Sequence, residues 1–246
     1  MTNSTKRGRS FSSALQVLGS KQKTLKGAPA YSRLVNRPIG RIFAAASFAL
    51  GLTPNQVTAL SAVCTFIAIG VIALVPTTTL IAAMVALLLI IGYALDSADG
   101  QLARLRGGGS PAGEWLDHVV DAIKIATLHS AVLIAWFRFE DVRSAQLLVP
   151  VTFQAVASVM FFVIILNDQL RRSRRNTSEM ILQGEGKSSI LYTFAVVPTD
   201  YGLLCLIFFF FAWSGFVWMY SALLLANIAF LLLALPKWFI EVRRLS

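Results

Sequence analysis

Four aspartates stand within 26 positions of a largely apolar chain: Asp96, Asp99, Asp117 and Asp121, in "LDSADGQLARLRGGGSPAGEWLDHVVD". Asp is among the costliest side chains to place in hydrocarbon, by about 2.5–3.5 kcal/mol at a helix centre. Such a cluster needs a chemical reason. On a helix, residues three or four apart share a face, so Asp96 pairs with Asp99 and Asp117 with Asp121. Carboxylates gathered in one place repel one another unless a cation neutralises them. An all-oxygen set without Cys or well-spaced His favours a hard ion, Mg²⁺ or alternatively Mn²⁺, over Zn²⁺. His118 follows Asp117 directly but falls off the face that Asp117 and Asp121 share.

The residues between the pairs extend the pattern. Gly100 and Ala103 leave the helix surface bare beside Asp99, and Gly113 does the same on the second segment. Arg104, one turn beyond Gly100, offers a planar fork suited to phosphate. A metal, bare backbone and an Arg together describe a site for a diphosphate. The plainer alternative has the aspartates paired with Arg104 and Arg106 or solvated at an interface. Two pairs at helical spacing, with small residues aligned beside them, argue against it.

The elements that position these residues are membrane helices. The chain has 246 residues, 56% hydrophobic and 14% charged, with a mean hydropathy of +0.68. Soluble domains carry roughly 25% charged residues. The expected fold is an all-α integral membrane protein with six transmembrane helices and an N-terminal interfacial helix. The spans are placed at about 55–75, 78–95 (continuing as helix toward 106), 114–137, 147–166, 201–213 and 216–236. Thr53 and Pro54 form a helix start, and residues 107–113 form a turn rich in helix breakers. Arg33, Arg37 and Arg41 share one face of a short helix near residues 31–50, begun or kinked at Pro38, that lies in the interface. Residues 31–246 read as one membrane domain. Residues 1–30 read as a basic, disordered cytoplasmic tail without the compact apolar core of a secretory signal. Cys64 and Cys205 sit inside apolar runs and read as small buried residues.

Charge supplies the orientation. The net charge of +10 is concentrated beside apolar runs, where positive-inside topology explains it and nucleic-acid binding does not. With the N-terminus inside, nineteen of the 22 Lys and Arg fall on the cytoplasmic side. Arg138 and Arg143 lie outside, and Lys124 lies within the third span. All four aspartates then belong to the cytoplasmic face.

The motif D-x-x-D-G-x-x-A-R, a spacer of eight, then G-x-x-x-D-x-x-x-D resembles the signature of the CDP-alcohol phosphatidyltransferases. Every position is filled: Asp96, Asp99, Gly100, Ala103, Arg104, Gly113, Asp117 and Asp121. The sequence from Thr53 to Thr58, "TPNQVT", is similar to the one that opens that family's first span. The resemblance runs from about residue 31 to the C-terminus. It implies a six-helix membrane enzyme of phospholipid biosynthesis, homodimeric, that binds a CDP-linked donor, passes its phosphoalcohol to a hydroxyl acceptor and releases CMP. On that pattern Asp96, Asp99 and Asp117 hold the metal, and Asp121 adds to the metal set or serves as general base. Gly100, Ala103, Arg104 and Gly113 line the CDP site.

A lipid donor, CDP-diacylglycerol, explains why the site lies in a membrane, and a bacterial cell membrane is the expected setting. For the acceptor, Lys124 lies three residues past Asp121 on a similar face. Arg171, Arg172, Arg174 and Arg175, with Lys187, follow the fourth span. They suggest a phosphorylated acceptor such as inositol phosphate or glycerol phosphate, although the same residues also suit a lipid-phosphate anchor. Thr199, Asp200 and Tyr201 either line the acceptor pocket or cap their helix. "GEWLDH", Gly113 to His118, also resembles choline and ethanolamine phosphotransferases, in which diacylglycerol is the acceptor; this is the second reading. A cation transporter is the third, but transport sites usually lie at the midplane in broken helices.

Overall fold

The computed structural model describes residues 10–20, 30–175 and 197–244, and every regular element among them is helical. The order is α1 (Phe11–Ser20), a π-helical turn (Ser32–Asn36) running into α2 (Arg37–Ala49), α3 (Pro54–Leu74), α4 (Thr79–Leu105) and α5 (Pro111–Phe139). A 3₁₀ turn (Ser144–Leu147) leads into α6 (Leu148–Arg175). There follow α7 (Tyr201–Ile207), continued by a 3₁₀ turn (Phe208–Phe210), and α8 (Phe216–Arg243).

Local chemistry sets these boundaries. Thr53 caps α3 through Gln56 in a reciprocal capping box, with Pro54 as the first helical residue. Ser110 accepts the Gly113 amide at 3.1 Å to start α5, with Pro111 behind it. The intervening turn needs left-handed backbone: Gly107 and Gly108 have φ of 101° and 131°, which only glycine adopts cheaply. The amide of Gly108 then donates to the Ala103 carbonyl at 2.9 Å and closes the end of α4. Pro38 sits in the first turn of α2, where its missing amide does no harm.

Five helices are long and apolar enough to cross a membrane: Pro54–Leu74, Thr79–Leu105, Pro111–Phe139, Ser144–Arg174 and Phe216–Arg243. Their outward faces carry large exposed apolar residues, among them Leu80, Phe137 and Leu233, as lipid-facing surfaces do. The expected fifth span is the exception. Tyr201–Phe210 is apolar but only ten residues long, which reaches about 15 Å against a hydrocarbon core of about 30 Å. Residues 176–196, which precede it, lie outside the described residues. The six-span count is therefore not established. Within the stretch read as a tail, Phe11–Ser20 is helical, and Ala14 and Leu18 are buried against Ala44 and Ala45 of α2 and Leu102 of α4. Their i, i+4 spacing forms one apolar stripe, which composition alone had obscured.

Packing divides into two apolar cores. One joins α3, α4, α5, α6, α7 and α8 around Ile72, Leu89, Val132, Trp136, Phe208 and Tyr220. The other holds α1 and α2 on the opposite ends of α3 and α4, around Val57, Ala98 and Leu102. Between them α3 and α4 present polar groups. There the helices touch at Gly92: a Cβ built on it would meet Thr65 Oγ1 at 2.3 Å and the Ser61 carbonyl oxygen at 3.3 Å. Ser61 Oγ donates to the Gly92 carbonyl oxygen at 2.8 Å. Gly92→Ala must push the helices apart, and we expect a loss of about 1–3 kcal/mol, read as a lower melting temperature in detergent. An unchanged melting temperature would refute the close approach.

Candidate active site

Motif neighbours in sequence are not packing neighbours in space. α3 packs along both α4 and α5, whereas α4 and α5 approach each other little beyond their connecting turn. A short connecting turn would ordinarily set two such helices side by side; here α3 stands against both instead. Their acidic residues converge across the gap that α3 keeps open. Asp96 of α4 and Asp117 and Asp121 of α5, all half-buried, each bring a carboxylate oxygen within 4.8 Å of the others.

The fourth aspartate is placed differently. Asp99 is buried, lies outside that group, and accepts the Thr58 hydroxyl at 2.6 Å. Thr58 belongs to a polar stripe on α3 with Ser61 and Thr65, at spacings of three and four. Sequence reasoning missed that stripe, although its helical spacing within an apolar span was a readable signal.

Lys124 fixes the arrangement. Its Nζ donates to Asp96 Oδ1 at 2.7 Å, Asp121 Oδ1 at 3.0 Å and Ser61 Oγ at 3.2 Å. An ammonium has three protons, and all three have acceptors. Lys124 takes the same oxygen type, Oδ1, from each carboxylate and leaves Oδ2 of each for another partner. It thus ties α5 to α3 and α4 at the level of the acidic group.

The remaining motif residues lie toward the ends of α4 and α5 that the turn connects. Arg104 is exposed in the last turn of α4. Gly100 has open space beside it, the nearest group to a built Cβ being Arg104 Nη1 at 3.5 Å. Ala103 is half-buried. Gly113 differs: a Cβ there would meet Asn55 Oδ1 at 3.1 Å, so its missing side chain admits the start of α3. Neither Arg104 nor Arg106 makes an ion pair with a motif aspartate among the described residues. Arg106 instead donates to the Leu52 carbonyl at 2.5 Å, so the pairing of the aspartates with these two arginines is not seen among the described residues. His118 turns to Glu114, with Nε2 to Oε1 at 3.7 Å.

Two of the basic residues after the fourth span are engaged. Arg171 makes two bonds of 2.8 Å to Glu241, and Arg172 bridges Glu114 and Asp168 at 2.6 Å each. Arg174 is exposed; the side chain of Arg175 and the whole of Lys187 lie outside the described residues. A cavity of about 160 Å³ opens beside Asp96, Asp121 and Lys124, and Thr65, Tyr93, Ile125, Phe161 and Tyr201 complete its wall.

A half-buried, all-oxygen carboxylate group in this compass fits a hard divalent cation. The model of the family described as CDP-alcohol phosphatidyltransferase matches residues 51–232. The fold is similar to the crystal structure of Mycobacterium tuberculosis phosphatidylinositol phosphate synthase with CDP-DAG bound. That likeness has a TM-score of 0.52 at 20% identity, over 83% of this chain and 94% of that one. No curated protein matches the chain. The matched stretch takes in the whole Asp96–Asp121 motif, α3 and most of α8, and the chain belongs to the CDP-alcohol phosphatidyltransferase family of membrane enzymes.

Proposed function

We infer that the protein transfers the phosphatidyl group of CDP-diacylglycerol to a hydroxyl acceptor and releases CMP. The observation that carries this reading is the carboxylate group of Asp96, Asp117 and Asp121 beside a cavity at one end of the helix bundle. These residues would hold the divalent cation, Mg²⁺ by preference, and Asp99, steadied by Thr58, completes the acidic set of the motif. When bound, the cation neutralises the diphosphate and the charge that develops on departing CMP.

The chain's own residues do the rest. The acceptor hydroxyl attacks the phosphorus that carries diacylglycerol. One P–O bond forms, the P–O bond to CMP breaks, and CMP leaves with the bridging oxygen. A carboxylate within reach takes the hydroxyl proton. Asp121 is the candidate: with Lys124 on its Oδ1, its Oδ2 either completes the cation's ligands or takes this proton while Asp96 and Asp117 hold the cation. Gly100, Ala103 and the exposed Arg104 line the approach of the CDP diphosphate. Lys124 positions Asp96 and Asp121 and does not bind substrate phosphate.

The site and the N-terminus face the cytoplasm in this reading, in line with the distribution of Lys and Arg. The α2 segment lies in the interface with Arg33, Arg37 and Arg41 among exposed Leu34, Val35 and Ile42. The family resemblance adds a homodimer in a bacterial cell membrane. The test uses purified protein, radiolabelled CDP-diacylglycerol and a panel of alcohols. CMP release is expected with Mg²⁺, is abolished by EDTA and returns on adding Mg²⁺ back. Release unaffected by EDTA would end the metal assignment, and turnover only with CDP-choline or CDP-ethanolamine would replace the donor.

A further inference from the structure

Asp200, the residue before α7, is a carboxylate only 2% exposed. A buried charge is retained where its oxygens are hydrogen-bonded. Its Oδ1 accepts the Gly202 amide at 3.0 Å and caps α7. Capping accounts for that oxygen alone. Its Oδ2 accepts the Ser32 amide at 2.9 Å, from the π-helical turn 168 residues earlier in the chain. One side chain therefore clasps the turn before α2 to the start of α7, through charge-assisted bonds stronger than neutral ones.

The clasp has a second component. Gly202 lacks a side chain where the Tyr31 ring lies, and a built Cβ would fall 1.8 Å from Tyr31 Cδ1. Any side chain there would displace the ring. Tyr31 in turn stacks on Tyr93, with centroids 6.4 Å apart and planes 13° apart. Tyr93 meets the Tyr201 ring edge-on at 5.1 Å. The three rings come from the segment before α2, from α4 and from α7, and the Asp200 clasp holds the first against the last.

Two of these rings, Tyr93 and Tyr201, belong to the wall of the cavity beside Asp96, Asp121 and Lys124. Helix α7 has only seven residues, too few to hold a helix without tertiary contacts, so its start stands where the clasp puts it. Asp121, the candidate base, is in the same wall, and an acceptor hydroxyl must reach it there. The donor diphosphate is assigned to Gly100, Ala103 and Arg104. These lie about 10–17 Å further along α4 than Tyr93, so the clasp acts on the acceptor side.

We propose that Asp200 is a positioning residue: with Gly202 it locks the Tyr31 segment against α7 and so sets the Tyr93 and Tyr201 rings that shape the acceptor's cavity. This rests on the transfer reaction described above. The experiment uses the full-length protein and measures CMP release from CDP-diacylglycerol with myo-inositol, glycerol, serine, inositol phosphate and glycerol phosphate. The fastest of these is kept as acceptor. Its KM and the donor KM are then compared in the wild type, Asp200→Asn, Gly202→Ala and the double variant, and melting temperatures are recorded. Asp200→Asn keeps the shape of the side chain but can accept only one of the two amides. Gly202→Ala displaces Tyr31 and leaves Asp200 intact. We expect each single variant to raise the acceptor KM about tenfold or more, with the donor KM within about twofold of the wild type. The double variant should resemble the larger single, because both changes open one contact. Equal rises in the two KM values, or an unchanged acceptor KM in either single variant, overturn the inference and leave the transfer reaction standing. A lower melting temperature with both KM values unchanged does the same, since the clasp would then be structural only. Where Gly202→Ala does not fold, Asp200→Asn decides alone. No CMP release by the wild type with any of the five acceptors would overturn both readings.

Discussion

Asp117→Asn should lower CMP release at least about a hundredfold and leave the melting temperature within about 2 °C of the wild type. Asp117 is the informative member of the group because it makes no ion pair or hydrogen bond with Lys124 among the described residues. The substitution keeps nearly the same shape and leaves the bonds from Lys124 to Asp96 and Asp121 in place. Only the negative charge goes. Asp121→Asn would instead weaken a bond of the buried ammonium, mixing a stability effect with a chemical one. If the three carboxylates share one cation, loss of the third must appear as lost turnover and as a weaker upward shift of the melting temperature on adding Mg²⁺. Full activity in Asp117→Asn would remove the common-ion reading, whatever the fold.

The motif was legible because its chemistry is local. The three- and four-residue spacings of Asp96/Asp99 and Asp117/Asp121 fix which side chains share a helical face, and Gly107 to Ser110 fixes where the two helices part. What the sequence could not convey is what stands opposite each face. Periodicity put Lys124 near Asp121, but only the fold brings Asp96 and Ser61 to the same ammonium. Asp99 separates from its motif partners for the same reason, since Thr58 comes from a different helix. Gly113 was read as bare backbone, and what stands beside it, Asn55 Oδ1 at 3.1 Å from a built Cβ, comes from another helix. The short Tyr201–Phe210 helix shows a different limit. Apolar composition marks a segment as membrane-compatible but does not determine how many of its residues continue as helix.

Lys124→Met tests the electrostatic balance of the site, and its effect should be the largest on stability. The side chain is 7% exposed, and its removal leaves the Oδ1 atoms of Asp96 and Asp121 facing each other with no cation between them. Breaking a buried ion pair from one side costs about 3–5 kcal/mol. The two carboxylates retain 22% and 27% of their side-chain exposure, which argues for the low end of that range. At about 2–4 °C per kcal/mol for a chain of this size, the melting temperature should fall by about 6–12 °C. A structural lysine elsewhere in the bundle could give the same drop, so a second reading is needed. Losing the ammonium makes the acidic group more negative, and Mg²⁺ should therefore stabilise Lys124→Met by more degrees than the wild type at equal concentration, since stabilisation grows with affinity. Adding Asp121→Asn to Lys124→Met should recover part of the lost stability, because one of the two unpaired charges disappears with it. Equal Mg²⁺ shifts in variant and wild type, with no recovery in the double variant, would mean that Lys124 packs beside these carboxylates without governing their charge.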